Sequence, residues 1–145
     1  MHKIQNTPKI VTIIGLALEG LAAFSAILSA IFIPLLFNSE FFLSDLGEMT
    51  SEELEFFDIM ISWMTSIMIV FALLFTIMFT INIILFTKLI RGKFTEEQAK
   101  KVYLYQAIWG GISILLNTVT GILYLVSGVQ GYSGHVDKID TREGI

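Results

Sequence analysis

Cysteine is absent from the 145 residues, proline occurs twice, and charged residues make up only 15% of the chain. Without cysteine there is neither a disulfide framework nor a thiolate site, and redox chemistry gives no clue to compartment. The two histidines, His2 and His135, lie near opposite ends. No Gly-x-Ser-x-Gly elbow exists and no histidine stands near a nucleophile, so catalysis has no visible foothold and no enzyme is expected. Basic residues are too few, at a net charge of −4, to favour a nucleic-acid partner. No spacing of His, Asp or Glu suggests a metal or another cofactor.

Hydrocarbon is what the chain does contain. Apolar residues make up 54% of it and mean hydropathy is +0.76, with the apolar residues gathered in blocks. Composition of this kind belongs to an integral membrane protein whose first partner is the lipid bilayer. Three apolar runs stand out, at 10–37, 59–90 and 102–130. The first, at 28 residues, would be about 42 Å long as a helix, against about 30 Å of hydrocarbon. A cleaved signal peptide is the rival reading of the start, but the run is too long and contains Glu19.

Charge orients these runs. Lys88, Arg91, Lys93, Lys100 and Lys101 crowd a turn at 88–101, whereas the loop at 38–58 carries seven acids and no base. Short Lys- and Arg-rich loops stay in the cytoplasm, so the basic turn faces in and the acidic loop faces out. Three crossings then put the leader, residues 1–9, inside and a flexible polar tail, 132–145, outside. The expected fold is an all-α membrane protein, a bundle of three long transmembrane helices within one domain at 10–131. The last run, at 29 residues, falls short of two crossings of about 20 each. The alternative is four segments with that run folded back, for which Asn117, Thr118 and Thr120 leave room.

Local signals mark the helix ends. Thr50-Ser51-Glu52-Glu53 and Thr95-Glu96-Glu97-Gln98 both have capping-box spacing, predicting helix starts near Ser51 and Glu96. Gly92 is placed to end the second helix. Pro34 lacks an N–H and loosens the end of the first, which should stop before Asn38. Phe56, Phe57 and Trp63 fit an aromatic belt at the outer interface.

The candidate intramembrane polar site is Glu19, Asn82 and Asn117. Counting at about 1.5 Å per residue puts Glu19 and Asn82 at similar depth, about 13 and 12 Å from the inner ends of their helices. Glu19 shares a face with Ala22, Ala23, Ala26, Ser29 and Ala30, a small-residue pattern that lets helices approach closely, so it should point into the bundle. It would serve as a hydrogen-bonding strut to Asn82 or as one step of a proton or cation relay. The strut is preferred, because no second acid, His or Lys lies at depth to extend a relay. Gly110, Ser113, Asn117, Gly121, Tyr124 and Gly128 recur at helical spacing and predict a close helix contact. The acids from Glu48 to Asp58 lack the fixed spacing of a calcium loop and read as a solvated surface.

The charged leader running into KIVTIIGLALEGLAAF, the acidic outer segment and the closing GILYLVSGV resemble a family of small, functionally uncharacterised multi-pass membrane proteins of Gram-positive bacteria. The resemblance implies a bacterial plasma membrane and supplies no activity. The expected role is a non-enzymatic accessory or interaction subunit, since the small-residue faces exceed what one bundle needs and point to a membrane-protein partner or self-association. Two alternatives are an oligomeric transporter or channel built on Glu19 and a self-protection protein against a membrane-active toxin.

Overall fold

The protein, seen in a computed structural model, is described for residues 2–39, 42, 44, 47 and 49–143, with side chains as far as residue 134. Glu40, Asp45 and Glu48 of the acidic loop, and the His135 side chain, lie outside the described residues. The described fold is all-helical, without strands: α1 (Asn6–Phe37), α2 (Ser51–Ile90), α3 (Glu96–Ser113) and α4 (Thr118–Glu143). By length and composition α1 and α2 are able to cross a membrane. Contacts divide the chain into two compact units, Met1–Leu21 with Phe79–Ile145, and Ala22–Met78.

Helix ends follow the local chemistry. At the start of α2 the Thr50 N–H donates to Glu53 Oε2 at 2.9 Å and the Glu53 N–H donates to Thr50 Oγ1 at 3.2 Å. The same reciprocal pair joins Thr95 and Gln98 ahead of α3. α2 ends at Ile90, two residues before Gly92, whose φ of 69° is open to glycine but strained for other residues. The Gly92 N–H reaches the Leu89 carbonyl at 3.1 Å and the Lys93 N–H reaches that of Lys88 at 3.0 Å, a Schellman stop. α1 passes through Pro34 and ends at Phe37.

The last apolar run departs from the single helix expected at 102–130. α3 stops at Ser113, the chain turns through residues 114–117, and α4 packs back against α3. Asn117 makes the break: its N–H bonds to the Ser113 carbonyl at 2.6 Å, its carbonyl receives the Gly121 N–H at 2.9 Å, and its Oδ1 receives the Thr120 N–H at 3.5 Å. Leu115, at the tip, is 88% exposed. The length argument against folding back fails because both helices recruit polar flanks. α3 begins at Glu96, ahead of the apolar run, and α4 continues past its end to Glu143. No proline follows Thr118, so nothing interrupts the ladder where an irregular tail was expected from residue 132.

Glycine brings α3 and α4 together. A Cβ on Gly110 would come within 2.8 Å of the Gly121 carbonyl, and one on Gly128 within 2.7 Å of the Tyr103 carbonyl. The small-residue face read on the third run is therefore consumed inside the chain, which removes one of the two arguments for an external partner.

Around this hairpin the first unit builds its core from Ile4, Phe86, Leu89, Ala99, Val102, Tyr103 and Tyr124. In the second unit, Phe42 packs edge-on to Phe37 and stacks with Phe57, at ring separations of 4.8 and 6.0 Å.

Candidate functional site: a polar node on four helices

Each helix contributes one side chain to a node inside the first unit: Glu19 from α1, Asn82 from α2, Tyr105 from α3 and Tyr124 from α4. Asn82 Nδ2 donates to Glu19 Oε1 at 2.7 Å, and the Tyr124 hydroxyl donates to Glu19 Oε2. The Tyr105 hydroxyl donates to Asn82 Oδ1 at 2.5 Å. Glu19, Asn82 and Tyr124 are buried. Both carboxyl oxygens thus have donors, and the amide that serves one of them has its own oxygen satisfied.

Glycine again supplies the room. Gly15 lies one turn before Glu19, and a Cβ there would stand 2.6 Å from the Tyr124 ring. Phe86 packs edge-on to Tyr124 at 5.1 Å between ring centres and holds it in place. The Trp109 indole N–H is also close to the carboxyl but closes no hydrogen bond with it.

A second node lies toward the start of α1, two turns before Glu19. Gln106 Nε2 donates to Thr12 Oγ1 at 2.8 Å, and the Ser127 hydroxyl donates to the Pro8 carbonyl at 3.0 Å. Since Ser127 has spent its only proton, Thr12 must be the donor in the 2.7 Å bond between their hydroxyls. The bonds therefore run in one direction, from α3 through α1 to α4 and back to α1. Gln106 Oε1 is buried without a partner.

A third node seats the amino-terminal segment. The His2 N–H bonds to the Phe94 carbonyl at 2.7 Å, its Nδ1 lies 2.9 Å from Glu96 Oε2, and its Nε2 lies 2.7 Å from the Tyr103 hydroxyl. His2, in the amino-terminal leader, is buried. A cavity of about 10 Å³, with room for about one water, is bounded by His2, Gln5, Pro8, Tyr103, Gln130 and glycines of α4. The amino-terminal segment and residues 130–134 thus meet at one end of the unit.

Of the three residues read from the sequence, Glu19 and Asn82 come together and Asn117 does not, being used in the helix break. Tyr105, Thr12, Gln106, Ser127 and Tyr103 escaped sequence reasoning. A signal existed for two of them: Thr12 lies seven residues before Glu19 on the same stripe, and Gln106 is a lone amide in an apolar run. Among the described residues no group of three or more His, Asp or Glu converges as a metal site would. No family model, curated protein or solved structure matches the chain.

Proposed function

We propose that the protein is a multi-pass protein of a bacterial plasma membrane, the setting its sequence resemblance implies, and acts there as a non-enzymatic interaction subunit. The observation that carries the membrane reading is an inversion of the soluble pattern. The most apolar windows of α1 and α2 are only 6% and 17% buried, whereas Glu19, Asn82, Gln106, Thr12 and Ser127 are enclosed. A core helix of a soluble protein would bury those windows. The hairpin adds two shorter crossings, α3 being about 27 Å long at 18 residues. Four crossings return the chain to its starting side, and the basic turn makes that side the cytoplasm.

Cysteine scanning tests this on a background with no native cysteine. In whole cells Ser51→Cys should react with an impermeant thiol reagent, while Thr95→Cys and Ser133→Cys stay protected. A reactive Ser133→Cys would restore three crossings.

The subunit role is supported by the saturation of Glu19, a strut whose two oxygens are both engaged. Transport around Glu19 is the second reading, favoured by its enclosed position near the unpartnered Trp109 N–H. Glu19→Gln separates them: a strut keeps its shape, and growth and ion flux persist at normal membrane abundance. Loss of flux in an abundant Gln variant would make the protein a transporter.

A further inference from the structure

In the second unit, the first turns of α2 form an open groove of about 460 Å³, lined by Met49, Glu52, Glu53, Phe56, Phe57 and Met60. Glu52, Phe56 and Met60 follow one another at four-residue steps, and Glu53 and Phe57 form the adjacent row. The result is a soft apolar floor with an acidic rim. Methionine and phenylalanine suit an adaptable docking surface, and Phe56 is 69% exposed.

The rim has no compensation among the described residues. Glu52, Glu53, Glu55 and Asp58 form no ion pair among the described residues, and no base occurs anywhere between Asn38 and Thr87. Anionic lipid headgroups would be repelled by this surface. A second copy presenting the same surface would bring acid against acid. What fits is positive charge together with apolar side chains, delivered from the outer side.

We propose that this groove docks a cationic amphipathic helix, whose apolar face lies on Phe56, Phe57 and Met60 while its lysines or arginines meet Glu52 and Glu53. The inference rests on the interaction-subunit reading and gives that subunit's partner its chemistry.

The test uses the full chain in phosphatidylcholine nanodiscs and a fluorescent synthetic Lys/Leu amphipathic helix, with empty discs and an uncharged Gln/Leu helix as controls. The Lys/Leu helix should bind protein-bearing discs at least about tenfold more tightly than empty ones, and the advantage should shrink as salt rises. Glu52→Gln with Glu53→Gln, which leaves the capping geometry intact, should remove most of that advantage. Phe56→Ala with Met60→Ala should weaken it while preserving the charge. Equal binding to filled and empty discs, an unchanged affinity in the double Gln variant, or crosslinking of two copies through Phe56 would overturn the proposal. Cysteine accessibility judges the parent reading separately: a correctly inserted chain that ignores the peptide removes this inference alone.

Discussion

The two units use polar side chains in opposite ways. All eight buried polar residues of the described chain, from His2 to Ser127, belong to the first unit, where His2, Thr12, Glu19, Asn82, Gln106 and Ser127 bond to side chains of other segments. In the second unit Ser66 bonds back to the carbonyl of Ser62, four residues earlier on its own helix, at 2.9 Å. That unit buries only Ala23, Ile61 and Ala72 among its described residues. A hydroxyl returned to its own backbone does nothing to specify a neighbour. The first unit is thus stitched into one arrangement, while the second presents surface.

The contrast breaks most completely at the α3–α4 contact. Gly121→Leu drives a side chain into the backbone of Gly110 and Ile114, whereas Gly111→Leu meets nothing within 4 Å. The first should lower stability by about 3 kcal/mol or prevent assembly, and the second should change little. Size-exclusion profiles and melting in detergent measure the difference, and equal behaviour would mean that the helices do not touch there.

A smaller loss is expected at the Glu19 node. Glu19→Leu strands the Tyr124 hydroxyl and the Asn82 amide and should cost about 1–3 kcal/mol. Asn82→Leu should resemble it, and the double variant should be little worse than either single, because the same bond is lost in each. Additive losses in a thermal or denaturant titration would show that the two residues act separately.

Smallest of all is the effect expected in the second unit. Trp63 is 69% exposed, so Trp63→Leu should shift stability by less than about 0.5 kcal/mol. A drop comparable to that of Glu19→Leu would show that this unit too is fixed by specific packing.

Helix starts, the Gly92 stop and the pairing depth of Glu19 with Asn82 were legible because each rests on a local rule: a capping box, a left-handed residue, or a rise per residue. The fold-back was not, since a rule about apolar length does not register that Glu96–Lys101 and residues 131–143 extend helices beyond the apolar run. Tyr105 stayed hidden, and Tyr124 was read only as part of a close helix contact, for another reason. Aromatic residues in membrane segments are usually read as filler or as belts, and only the bare backbone at Gly15 shows that Tyr124 reaches a carboxyl.

The span of the Glu19 contacts sets a schedule for biogenesis. Its two partners lie 63 and 105 residues further along the chain. At a synthesis rate of about 5–20 residues per second, Tyr124 leaves the ribosome about 5–20 s after Glu19. During that interval the first helix carries an unmatched carboxyl, and a partner gained at Asn82 leaves Oε2 waiting. On the membrane reading proposed above, the carboxyl keeps one oxygen unmatched until α4 emerges, and that helix completes the node.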